Sequence, residues 1–185
     1  MKISETIKVS GKIKKYLLIT ITLFCAAICY SLHELPDEKF HIYFLNVDQG
    51  DSILIKTPQN HQILIDGGPQ DFVLEELGKV MPFFDREIDL VVLTHPHADH
   101  LEGLVEVLKR FRVKAVLLSG VNVFDDTYKE FLKEIHVNNI PIYIAERKID
   151  FVFGDVMLDV LYPFYPIDGD VYENLNNSSI GINVI

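Results

Sequence analysis

The sequence predicts a layered α/β domain behind one apolar N-terminal segment. Two observations carry that reading. Between residues 40 and 66, three short runs rich in Ile, Leu, Phe and Val follow one another across turn signals. From residue 72 onwards, apolar residues at helical spacing alternate with continuous apolar runs of strand length. Three strands followed by alternating helix and strand suit packed layers of sheet and helix better than a pure strand–helix–strand array. With 185 residues, 49% hydrophobic and 24% charged, the chain has material for one ordinary core and lies outside disordered or collagen-like composition.

The elements follow in order. Phe40–Val47 and Ser52–Thr57 read as strands parted by the turn Asp48-Gln-Gly-Asp51. Pro58-Gln-Asn-His61 turns the chain into a third strand, Gln62–Asp66, which ends at Gly67-Gly68. Phe72, Val73, Leu77 and Val80 mark a helix over 72–80. Ile88–Thr94 is a buried strand. Leu101, Leu104, Val105, Leu108 and Phe111 mark a second helix, Val113–Ser119 a strand, and Thr127–Val137 a third helix. Ile142–Ala145, Phe151–Phe153, Val156–Tyr162 and Ser179–Ile185 complete the strands.

The N-terminus has its own character. Five of the 17 cations fall within residues 1–15 against one acid, Glu5, so the body is more acidic than the net charge of −10. Such a body disfavours broad nonspecific nucleic-acid binding, which runs on phosphate neutralisation, although a substrate held locally by metals is compatible with it. Residues 16–32 contain no charge. That is near the short limit of the roughly 17–25 residues of a spanning helix, and a secretory signal fits as well. Lysines before the run and Glu34, Asp37 and Glu38 after it place the N-terminus inside and the domain outside, secreted or membrane-anchored. Residues 33–39 read as a linker, and 40–185 as the domain. Both cysteines, Cys25 and Cys29, lie in the apolar run, which leaves the body without a disulfide framework or a cysteine zinc site.

The chemistry concentrates in Thr94-His95-Pro96-His97-Ala98-Asp99-His100, where a strand ends and a helix begins. Neutral imidazole and carboxylate are common metal donors. His95 and His97 alternate and can face one side. Asp99 and His100 enter the helix and can reach a neighbouring position, so the pattern suits two metals, one per pair.

This segment resembles the His-x-His-x-Asp-His motif of the metallo-β-lactamase superfamily at every defined position. The resemblance implies an αββα sandwich with a zinc site at one edge. His95 and His97 would serve one metal, and Asp99 and His100 the other. Asp66, in Leu64-Ile-Asp-Gly-Gly68, matches the superfamily's aspartate after an early strand and supports the site from behind. Phe44–Ile55, Asp159-Val-Leu-Tyr-Pro163 and Asn176-Asn-Ser-Ser-Ile180 resemble the hydrolase domain of ComEC-type competence proteins, with Asp48 standing where that group has glycine. This narrower resemblance implies hydrolysis of DNA phosphodiesters outside the cell by two zinc ions, or manganese. Asp99 would ligate metal and orient the nucleophile, and Asn176, Asn177 and Ser179 would contact substrate. Lys109, Arg110, Arg112 and Lys114 are candidates for guiding phosphate, or for capping a helix C-terminus.

In that group the chain continues to a Gly-Asp that reaches both metals and to a Ser-His-His-Gly segment. The present sequence ends at Ile185, so the resemblance implies the N-terminal portion of the sandwich, an incomplete ligand set, an open sheet edge and reduced stability. His136, the one later histidine, falls on a helix face that reads as solvated. The competing functions are a hydrolase of lactams, lactones or thioesters, and a truncated binding module without turnover.

Overall fold

A computed structural model describes residues 11–33 and 37–185; the first ten residues of the basic N-terminus and residues 34–36 of the expected linker lie outside the described residues. The chain divides into two units, residues 1–35 and 36–185. In the first, helix α1 (Gly11–His33) contains a 21-residue stretch, Gly11–Ser31, long and apolar enough to cross a membrane. Thr20 and Thr22 hide their hydroxyls on the carbonyls of Tyr16 and Leu18 one turn earlier, which suits them to apolar surroundings.

The second unit is built on a six-stranded sheet. Strands β1 (His41–Phe44), β2 (Ile53–Lys56) and β3 (Gln62–Ile65) form an antiparallel meander. Strands β5 (Leu90–Leu93), β7 (Val116–Leu118) and β8 (Ile142–Ile144) continue the sheet from β3 in parallel. Short β4 (Glu87–Ile88) and β6 (Arg112–Val113) pair separately. Strands β9 (Asp150–Phe153), β10 (Val156–Tyr162) and β11 (Gly181–Val184) form a second, antiparallel sheet with β10 central. Helices α2 (Phe72–Val80), α3 (Ala98–Arg110) and α4 (Asp126–Val137) belong with the larger sheet.

Alternation along the strands assigns the two cores. Leu64, Val91, Leu93, Val116 and Leu118 pack with Leu77, Leu104, Leu108 and Phe131 of the helices. Their neighbours Ile63, Leu90, Val92 and Leu117 pack with Leu158 and Val160 of the second sheet. A strand buried on both faces reads as a continuous apolar run, which is why β5 and β7 show no alternation. The layers are therefore helix, sheet, sheet, three of the four that an αββα sandwich implies. Strand β11 forms one edge of the smaller sheet, and Ile42 and Phe44 on β1 are exposed.

Two expected strands are each split. Asp89 interrupts Ile88–Thr94 because its side chain turns to accept the Gln62 backbone N–H at 2.8 Å, Lys114 Nζ at 2.8 Å and His61 Nδ1 at 3.3 Å. Lys114, the partner in that ion pair, sits in the break between β6 and β7. The last strand begins at Gly181 rather than Ser179, since Leu175–Ser178 forms a single 3₁₀ turn capped by the Asn174 side chain.

The turn after β3 touches α3 closely. A Cβ on Gly103 would lie 2.0 Å from the Gly67 carbonyl oxygen, and one on Gly67 would lie 2.4 Å from Leu104 N. This contact allows Gly67 N–H to donate to the His100 carbonyl at 2.7 Å, and Gly103 N–H to donate to Gly68 at 3.0 Å.

Gly103→Ala is expected to destabilise the domain by about 1–3 kcal/mol, the usual range for overpacking. Gly78→Ala, also in a helix but facing open space, should stabilise it by up to about 1 kcal/mol. Thermal melts check both, and equal effects of the two changes would contradict the packing described. Burial pushes the Asp89 carboxyl up, but Lys114, the Gln62 amide and His61 together hold it below its ordinary value. Its contribution to stability is thus present above the unfolded carboxylate pKa of about 3.9 and is lost as pH falls through the lower folded value. Asp89→Asn should flatten that acid limb in denaturant titrations at a series of pH values; an unchanged limb would show that Asp89 is not its source.

Candidate metal centre

Asp66 and His95 follow the C-terminal ends of adjacent parallel strands, β3 and β5. In open α/β sheets this end is where ligands bind. Asp66 is 2% exposed and has φ +58°, a conformation that Asp tolerates better than most residues. Its backbone is held by Asp66 N–H donating to Val92 O at 2.8 Å and by Ser52 Oγ donating to Asp66 O at 2.9 Å. Its carboxylate faces three donors. Oδ1 accepts Thr94 N–H at 2.8 Å, while Oδ2 accepts the Thr94 hydroxyl at 2.6 Å and lies 2.8 Å from His100 Nδ1.

These contacts fix two tautomers. A carboxylate only accepts, so the single Thr94 hydroxyl proton points to Asp66. The Thr94 oxygen then accepts from His95 Nδ1, 3.0 Å away. His95 Nε2 is left as a lone pair, 3.0 Å from His97 Nδ1. By the same logic His100 donates through Nδ1 and presents Nε2, 3.9 Å from Asp99 Oδ2. The His95 and His100 ring centroids are 4.2 Å apart.

The donor atoms therefore stand as two pairs. Two nitrogens on one tetrahedral zinc, with bonds of about 2.0–2.1 Å, would be roughly 3.3 Å apart. The His95–His97 separation is close to that. The His100–Asp99 pair is wider, and the Asp99 side chain is 45% exposed and free to adjust. The His95–His97 spacing is compatible with two ligands of one ion; among the described residues no group of three His, Cys, Asp or Glu is poised around one point. Burial, aided by the His100 charge, lowers the His95 pKa and favours its neutral, ligating form. Burial also opposes charge on His100, but the Asp66 hydrogen bond and the carboxylates of Asp66, Asp99 and Asp51 outweigh it, and its pKa rises.

The remaining sequence candidates divide. Asn176, Asn177 and Ser179 lie at the 3₁₀ turn, and Ile180 N–H donates to the Thr94 carbonyl at 3.0 Å, so this segment abuts the motif. With Tyr162, Ile180 and Gly181 they line a shallow cleft. Lys109, Arg110, Arg112 and Lys114 instead pair with Glu106, Glu130, Glu87 and Asp89, which favours their structural role over a phosphate-guiding one. His136 is exposed on α4. Sequence reasoning missed the orienting role of Thr94, whose only signal was its position before His95. It also read residues 48–51 as a plain turn, whereas a Cβ on Gly50 would meet the Asp99 carbonyl at 2.2 Å, so this turn seats against the motif.

The chain is similar to several known proteins. The chain is 28% identical over 123 residues to an uncharacterized protein of Methanocaldococcus jannaschii, covering 66% of this chain and 44% of that protein. It is 24% identical over 175 residues to ComE operon protein 3 of Bacillus subtilis, covering 84% of this chain and 22% of that protein. The chain thus spans less than half the length of either relative. Among solved structures, Rm3 metallo-beta-lactamase matches with a TM-score of 0.46 and 24% identity, over 64% of this chain and 47% of that one. The sequence profile of the metallo-beta-lactamase superfamily matches residues 45–170. With the profile covering most of the domain and His95–His100 standing at its strand ends, the chain belongs to the metallo-beta-lactamase superfamily.

Proposed function

We propose that this chain is an extracytoplasmic, metal-dependent hydrolase of the ComEC-like type, acting on phosphodiester bonds with DNA as the substrate class. The observation that carries the reading is the convergence of His95 Nε2 and His97 Nδ1, backed by the Asp66–Thr94 pair. Similarity to ComE operon protein 3 over most of the chain supports the choice of substrate. Helix α1, with lysines before it and acids after it, supports a membrane anchor with the domain outside.

In this reading His95 and His97 hold one divalent ion, zinc or manganese, and His100 and Asp99 hold a second. When bound, the ions supply Lewis-acid stabilisation of developing negative charge and a water whose pKa falls towards about 7. The chain's own residues do the rest. Asp99 orients the nucleophile, and its free carboxylate oxygen takes a proton. Asp66 and Thr94 keep the imidazole lone pairs aimed forward. Asn176, Asn177 and Ser179 meet the substrate beside the motif.

Thr94→Val retains shape but removes the hydroxyl that orients His95. Loss of such an outer partner typically lowers metal affinity 10–100-fold, and competition against a chromophoric zinc chelator should show a drop of that size. Zinc binding as tight as in the wild type would contradict the role given to Thr94. For the reaction, a metal-supplemented chain should hydrolyse a chromogenic phosphodiester and leave lactams and thioesters intact. Asp99→Asn should slow it by about 10²–10⁴-fold, as loss of a positioned acid–base group does. Preferential turnover of a lactam or thioester would favour the other hydrolases of the superfamily. Zinc binding with fewer than two ions per chain and no turnover would favour the binding module.

A further inference from the structure

The cleft beside the motif has one aromatic wall residue, Tyr162, and Phe164 continues that wall outside the cleft through its contact with Tyr162. Tyr162, at the end of β10, is 37% exposed, and its hydroxyl donates to the Asn177 carbonyl at 3.2 Å. Phe164, 56% exposed, meets the Tyr162 ring edge-on with centroids 5.6 Å apart. Arg147 Cζ lies 5.5 Å from the Phe164 centroid. Two accessible rings are thus held in place by a hydrogen bond, an edge contact and a cation. The cleft abuts the His95–His100 motif, because Ile180 lines it and donates its N–H to the Thr94 carbonyl.

Charge narrows what this wall can hold. The body is strongly acidic, and the cations closing α3 are occupied by carboxylates. A duplex gripped through its phosphates needs a basic surface. Aromatic faces with an adjacent arginine add stacking on bases to backbone attraction, and that stacking is sequence-tolerant and available only where bases are unstacked from their partners. The neighbouring Asn176 and Asn177 amides add donors and acceptors without charge.

We propose that Tyr162 and Phe164, with Arg147 behind Phe164, form a stacking platform that holds the bases of a single-stranded oligonucleotide beside the metal motif. The inference rests on the phosphodiesterase reading and deepens it by naming the substrate as single-stranded. It makes Tyr162 and Phe164 positioning residues for the strand.

The test is binding of the full chain to fluorescein-labelled oligothymidylate, followed by anisotropy in the presence of chelator so that no turnover occurs. An abasic oligonucleotide of equal length and a duplex are the comparisons. The single strand should bind at least about tenfold more tightly than either, the scale of one lost base stack. Phe164→Leu, which keeps an apolar side chain, should bring binding down to the abasic level. Tyr162→Leu, which removes the other ring, should weaken binding as well. Phe124→Ala, which removes an exposed ring from a different loop, should leave binding unchanged, and circular dichroism verifies folding of each variant. Equal affinity for abasic and base-bearing strands, or wild-type affinity in Phe164→Leu, would overturn the platform. A chain that turns over a small baseless phosphodiester but binds no oligonucleotide overturns the platform alone; one that does neither overturns the phosphodiesterase reading with it.

Discussion

The carboxylate of Asp66 is the constraint on which the site depends. It is buried in a left-handed backbone conformation that an L-residue adopts at a cost of about 1–2 kcal/mol, and its environment offsets that cost with three short contacts. One of these, to the Thr94 hydroxyl, is relayed to His95. Another reaches His100 directly. A single side chain thereby sets the tautomer of one imidazole from each donor pair, and the Nε2 lone pair of each ring faces the other member of its pair. Removal of Asp66 would leave Thr94, His95 and His100 without a common reference. Hydrogen bonds of this kind decide which nitrogen can ligate.

Getting Asp66 and His100 within 2.8 Å is a packing problem before it is an electrostatic one. Gly67 and Gly103 solve it by letting the turn after β3 touch the first turns of α3, backbone against backbone. The parallel pairing of β3 with β5, continued by the Asp66 amide bond to Val92, then brings Thr94 one residue beyond the position opposite Asp66, within reach of its carboxylate. The second sheet contributes from the other side through Ile180 and the Thr94 carbonyl. Site and core are therefore one structure: the strand face that supplies Ile63, Leu90 and Val92 to the core between the sheets also fixes where the motif begins.

Much of this was legible in the sequence because it is written locally. Helix α2 is readable from the spacing of Phe72, Val73, Leu77 and Val80, and β10 from a run whose alternate residues are buried. The His95–His100 pattern and the aspartate before Gly67-Gly68 announce themselves by composition. What could not be read depends on partners distant in the chain. Asp89 breaks a strand on account of Lys114, Gln62 and His61, none adjacent to it. Residues 109–114 look like a basic patch until Glu106, one turn earlier on α3, and Glu87 and Glu130 from other elements pair with them. Thr94 is an ordinary strand residue in the sequence; only the fold brings Asp66 to its hydroxyl.

The central claim is that this hydrogen-bond chain presents Nε2 of both His95 and His100 before any ligand is present. It is tested most directly by long-range ¹H–¹⁵N correlation of the histidine side chains in the metal-free chain at alkaline pH, where both rings are neutral. The account predicts that both are protonated at Nδ1, and that Thr94→Val releases His95 into a mixture while His100 keeps its state. Protonation of either ring at Nε2 in the wild type would contradict it.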